Sequence, residues 1–186
     1  MSEQETFELD IRDLDGKKKE DLENILHYVE KYAEYERNRL KNIQSKASLY
    51  IGAFSISITI LSIFINNILT STVNNNISNE NILIIFCLIV IIILLSIATI
   101  YAIKVFKKEK YYTFGSQNDI KKILKSECIL KEIIVQFYNG TQKNRNVINK
   151  KVDYMNLSQK YFEGAIYVTI VSIFIFIIVK IACFYL

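Results

Sequence analysis

Few side chains in this 186-residue sequence are equipped for covalent chemistry. The single histidine, His27, stands on a charged stretch with no nucleophile or metal-ligand set around it. Cys87, Cys128 and Cys183 form no CxxC or Cys/His spacing, and no P-loop, GxSxG, HExxH or GxGxxG motif occurs. Neither an enzyme nor a metal or cofactor site is expected. What remains are two polar constellations with regular spacing. The first is a run of small and hydroxyl-bearing residues, Ser48, Gly52, Ser55, Thr59, Ser62 and Asn66, within a segment that carries no charge from Ala47 to Asn67. Small residues let helices approach closely in lipid, and Ser/Thr side chains can hydrogen-bond across the contact. A 3-4 rhythm is the heptad seam of left-handed packing. The stripe therefore reads either as a packing face against another span of the same chain or as the lining of a pore made by several copies.

The second constellation is basic. Residues 1–36 hold five basic and twelve acidic groups, whereas residues 37–47 hold four basic groups and no acid. Arg37, Arg39, Lys41 and Lys46, with Arg145, Lys150 and Lys151 later in the chain, form a positive collar on segments that lead into apolar runs. It reads either as a topology signal in contact with lipid headgroups or as a site for an anionic ligand such as a nucleotide, which guanidinium groups bind through forked hydrogen bonds. Tyr32, Tyr35, Tyr154 and Tyr161 lie close enough in sequence to offer stacking surfaces for bases.

The elements that must position these residues follow from the segregation of charge and apolarity. The chain is 51% hydrophobic yet 23% charged and contains no proline. Three windows of bilayer length, Ser48–Leu69, Ile82–Ile103 and Ala165–Leu186, are nearly free of charge. They predict an all-α integral membrane protein with three transmembrane helices and a cytoplasmic helical layer. None of the spans carries an acidic residue, which argues against proton-coupled transport. The first apolar run begins far behind a charged segment, so it is expected to stay as a signal anchor rather than be cleaved. Residues 1–48 carry nine Lys/Arg and residues 104–163 carry thirteen, against none in the Asn-rich connection 66–81. The positive-inside rule then places the N-terminus and 104–163 in the cytoplasm of a bacterial inner membrane, with the connection and the C-terminus outside. Lys180 can snorkel to the outer interface.

Along the chain, residues 1–17 read as a mobile acidic tail closed by Asp15-Gly16. The apolar positions Leu22, Ile25, Leu26, Val29, Tyr32, Ala33, Leu40, Ile43 and Ala47 follow helical spacing, so 18–47 is a cytoplasmic helix that continues into span 48–69. An external loop over 70–81 and span 82–103 come next. Within 104–163, a basic and aromatic stretch, "KVFKKEKYYTFG", precedes an amphipathic helix capped at Ser116 and stopped at Asn139-Gly140. A further helix from Thr141 runs through Gly164 into the last span, 164–186.

The charged helix ending in "ERNRLKNIQSKASLYIGAFSISI", followed by an apolar hairpin with a basic exit, resembles the SLATT-type and Pycsar-type transmembrane effectors of bacterial antiphage nucleotide-signalling systems. The resemblance covers mainly residues 36–110 and is one of plan. It implies a homo-oligomer that answers to a cyclic nucleotide or short oligonucleotide made by a partner enzyme and then breaches the membrane as a pore or by disruption. A non-catalytic membrane scaffold or partner-binding subunit without a pore is the alternative expectation.

Overall fold

A computed structural model describes residues 8–74, 79–112 and 128–185, with side chains described up to residue 70, from 82 to 112 and from 128 to 178. The described residues contain a 3-10 helix over Ile11–Leu14 and three α-helices: α1 over Lys19–Asn74, α2 over Asn79–Lys104 and α3 over Ile129–Tyr185. Each α-helix is long and apolar enough to cross a membrane. The described residues are thus helical as expected, with three helices of the length and apolarity that crossing a membrane requires. The amphipathic helix expected from Ser116, with Ile120, Ile123 and Leu124, falls largely on residues 113–127, outside the described residues. The chain divides into two compact units. The first comprises Met1–Asn42 and Lys108–Lys151, the second Ile43–Lys107 and Val152–Leu186.

In the first unit, the helical spacing of Leu22 and Val29 on α1 brings them together with Ile134 of α3 and with Leu14 to form a buried core. Leu14 belongs to the stretch expected to be a mobile acidic tail, and here the structure differs. Asp10 caps the 3-10 helix: its carboxylate accepts from the Arg12 backbone N–H at 3.1 Å, and the Asp13 carboxylate accepts from the Asp10 N–H at 2.7 Å. That Arg12 N–H, then the Arg12 guanidinium, holds the Asp10 carboxyl below its ordinary pKa. Gly16 then turns the chain into α1 at φ +75°, a left-handed conformation that favours glycine. Lys131 pairs with Asp15 at 2.7 Å, and Asn139 grips the Leu9 peptide from both sides. The Asn139 amide oxygen accepts from Leu9 N–H at 3.0 Å while its NH₂ donates to Leu9 C=O at 2.9 Å. A short apolar anchor and a complementary amide thus fix residues that their acidity alone marks as solvated.

The expected stop at Asn139-Gly140 is also overturned, because α3 runs through both residues. Asn139 is committed to Leu9, and Gly140 serves close approach. A Cβ on Gly140 would collide with the ring of Tyr112. Tyr112 is held there by a second two-way amide clamp: its N–H donates to Asn144 Oδ1 at 2.7 Å and its C=O accepts from Asn144 Nδ2 at 2.9 Å.

In the second unit, Ile91, Leu95 and Ala98 of α2 pack with Phe54 of α1 and Ala165 of α3. Phe54 lies 4.9 Å from the ring of Phe162 and 5.4 Å from that of Tyr50. Ala98 and Ala102 are wholly buried. Beside Ala98, the buried Ser158 hydroxyl donates to its C=O at 2.8 Å, so one polar side chain on α3 is satisfied by the α2 backbone. Outward from this core stand large apolar side chains, with Phe86 and Phe174 each 63% exposed. Such a surface suits hydrocarbon rather than water.

Candidate functional site

The hydroxyl stripe lies on the open side of α1. Ser48, Gly52, Ser55, Thr59, Ser62 and Asn66 are all exposed. The α1 face turned into the unit's own core is a different one, carrying Ala47, Tyr50, Phe54, Ile58 and Leu61. At about 100° per residue, the stripe is centred roughly a third of a turn from that face. Packing of the stripe against the chain's own second or third span is therefore not what the structure shows. Phe54 and its neighbours take that contact because larger apolar groups bury more area. Three of the stripe hydroxyls donate back to carbonyls one turn earlier: Ser55 to Ile51 at 2.7 Å, Thr59 to Ser55 at 2.9 Å and Ser62 to Ile58 at 2.8 Å. Each donor is thus satisfied within the helix, and oxygen lone pairs remain for whatever meets the face.

Within the first unit, the residues of the basic collar are put to different uses. Its centre is Glu36, 3% exposed, whose carboxylate accepts from Arg39 Nη1 at 3.4 Å and lies 3.9 Å from Arg145 Nε. Arg39 and Arg145 are thereby committed to a structural ion pair, and Arg145 lies beside the Tyr32 phenol, whose pKa burial pushes up. Lys151 is 2% exposed with its ammonium 5.6 Å from the centre of the Tyr111 ring, so it is shut away from solvent. Burial lowers the Lys151 pKa, opposed by the Glu109 carboxylate. Lys150 and Lys41 are exposed, and Lys46, also exposed, belongs to the second unit. Arg37 is the exposed arginine of the collar.

Arg37 and Glu36 stand at a cavity of about 480 Å³ within the first unit. Ala33 and Leu40 of α1, Tyr111 and Tyr112, and Phe137, Gly140, Thr141, Asn144 and Ile148 of α3 complete the wall. Most of its polar groups are already satisfied: Thr141 donates to Phe137 C=O at 2.8 Å, and Asn144 holds Tyr112. The Tyr111 phenol oxygen is buried with no hydrogen-bond partner among the described residues, and burial raises its pKa. The cavity thus offers aromatic walls, one unmet phenol and an accessible guanidinium. Sequence reasoning did not single out Glu36, although the Glu36/Arg39 spacing of three within a helix is an ion-pair signal. Tyr111 belongs to the basic and aromatic stretch that follows the second span. Its place in a cavity wall depends on α3 residues some thirty positions away, which local spacing does not reveal.

Among the described residues, no three His, Cys, Asp or Glu side chains gather as a metal site, and His27 is exposed on α1. Comparison with protein-family models, curated proteins and solved structures finds no match to this chain.

Proposed function

We propose that this chain is a membrane effector that assembles with copies of itself into a gated conduit, with the α1 stripes turned toward the common axis. The observation that carries this reading is the exposure of all six stripe positions on a helix whose intramolecular contacts use another face. A hydroxyl row tolerates water at an axis and close helix contact alike. Its outward lone pairs favour cations over anions. In this reading the first unit is cytoplasmic, as the distribution of lysine and arginine demands. It gates the conduit through an anionic ligand, such as a nucleotide, held by Arg37 at the aromatic cavity. A scaffold without a pore is the second reading. It is favoured by the back-bonded hydroxyls of Ser55, Thr59 and Ser62, which already donate within their own helix.

The two arginines that sequence reasoning treated together should now separate. Arg37→Glu is expected to abolish conductance responses to added cyclic nucleotides or short oligonucleotides in planar bilayers, with insertion and thermal stability unchanged. Arg39→Glu should instead lower the stability of the first unit by about 1–2 kcal/mol, because a second carboxylate meets the buried Glu36. Circular dichroism melts of the purified variants distinguish the two. An Arg37→Glu protein that keeps its ligand response would remove Arg37 from the site.

A further inference from the structure

The C-terminal end of α2 carries a cation that has no anionic partner among the described residues. Lys104 closes the apolar span Ile82–Lys104 and is exposed. Its ammonium lies 4.5 Å from the ring centre of Tyr101 and 5.9 Å from that of Tyr154 on α3. The Tyr101 ring in turn stacks on Tyr161, with centres 5.6 Å apart and planes inclined by 7°. Among the described residues, no carboxylate lies within ion-pairing distance of Lys104, and no group accepts from or donates to the hydroxyls of Tyr101, Tyr154 and Tyr161. Aromatic faces hold an ammonium in place without neutralising it, because a ring quadrupole carries no net charge. The end of α2 therefore presents one fixed positive charge together with three phenol groups that have hydrogen-bonding capacity to spare. Ile100, Ile103 and Phe106, each about half exposed, stand beside it.

We infer that Lys104, Tyr101, Tyr154 and Tyr161 form a binding site for the headgroup of an anionic phospholipid. The phosphate diester meets the ammonium and phenol groups, and the acyl chains run along Ile100 and Ile103. Position and polarity select a lipid. The site sits where an apolar span ends, and the neighbouring apolar side chains give a soluble phosphate nothing to bury. Charge selects an anionic headgroup over a choline headgroup, because the Lys104 ammonium already occupies the tyrosine faces that a quaternary ammonium would need. The site goes beyond the conduit reading and holds whether or not the chain conducts ions.

Native mass spectrometry of the full-length protein in detergent tests this. Phosphatidylglycerol and phosphatidylcholine with the same acyl chains would be added separately. One phosphatidylglycerol per chain should be retained in preference to phosphatidylcholine. Lys104→Gln should weaken its retention about fivefold, as expected for loss of roughly one kcal/mol from one basic residue at a membrane surface. Lys104→Arg should retain it. Lys160→Gln, at another exposed lysine on α3, should change nothing, and circular dichroism confirms that each variant is folded. Equal retention by wild type and Lys104→Gln would overturn the site. So would an equal loss in Lys160→Gln, which would reduce the effect to general surface charge. Displacement of the lipid by millimolar glycerol 3-phosphate would assign the cluster to a soluble phosphate and overturn the lipid reading.

Discussion

Replacing Ser55 or Thr59 by leucine should reduce ion flux through reconstituted protein to background while the chain still inserts and still assembles. Both positions are exposed, so the added side chain meets no wall within its own chain. The cost falls on whatever the stripe faces. At a water-filled axis a ring of leucines makes a hydrophobic constriction that closes by dewetting. In a close-packed seam the same bulk forces helices apart at about 1–3 kcal/mol per contact, and assembly fails together with flux. Gly52→Leu sharpens the contrast, because a Cβ at Gly52 would meet nothing within 4 Å in the isolated chain. Chemical cross-linking of the variants in membranes, read beside liposome flux, separates the outcomes. Loss of flux with cross-linked oligomers intact supports the conduit, and loss of both supports a scaffold.

Gly140→Ala should destabilise the first unit, although replacing a mid-helix glycine ordinarily stabilises a protein. The helix gains about 1 kcal/mol from the substitution. The new methyl group, however, collides with the Tyr112 ring, and overpacking costs about 1–3 kcal/mol. Asn144 binds Tyr112 through both its N–H and its C=O, so the backbone cannot carry the ring away and the ring must turn about its own side-chain torsion. Gly140→Leu should go further and break that clamp, at about 1 kcal/mol for each lost hydrogen bond in addition to the overpacking. The sign should invert in a Tyr112→Ala background. There Gly140→Ala should stabilise by about 1 kcal/mol, because only the helix term survives. Thermal melts of the four proteins followed by circular dichroism give the cycle. A stabilising Gly140→Ala in the wild-type background would contradict the close approach.

These expectations divide along the line between what local pattern encodes and what it does not. The three apolar windows, the unbroken helix from the charged segment into the first span, and the apolar spacing of Leu22, Ile25, Leu26 and Val29 were all readable. Each depends only on composition or on helical periodicity. The stripe was readable as a face, since Ser48, Ser55 and Ser62 repeat every seven residues, but its exposure was not. A periodic pattern defines a face without saying which of two faces the chain buries, and Phe54 settled that by its larger apolar area. Asn139 and Gly140 together look like a helix terminus because asparagine and glycine both favour one. Their partners, Leu9 and Tyr112, lie 130 and 28 positions away, and no local rule carries that information. The same reason accounts for Glu36. Its acidity marks it for solvent until Arg145 of a distant helix is brought alongside.

The central claim, that the α1 stripe faces a water-filled axis among copies of this chain, is tested most directly by thiol access. Cys87, Cys128 and Cys183 are first replaced, and single cysteines are introduced by Ser55→Cys, Thr59→Cys, Ser62→Cys and Ile60→Cys. Ile60 is exposed, about 48% of its surface being accessible, but lies on a face of α1 roughly a third of a turn from the stripe. Each protein is reconstituted in a planar bilayer, and a membrane-impermeant methanethiosulfonate reagent is added while current is recorded. The account predicts that the reagent alters current through the Ser55→Cys, Thr59→Cys and Ser62→Cys proteins and leaves the Ile60→Cys protein unaffected. Active protein whose stripe cysteines are no more reactive than Ile60→Cys would contradict it.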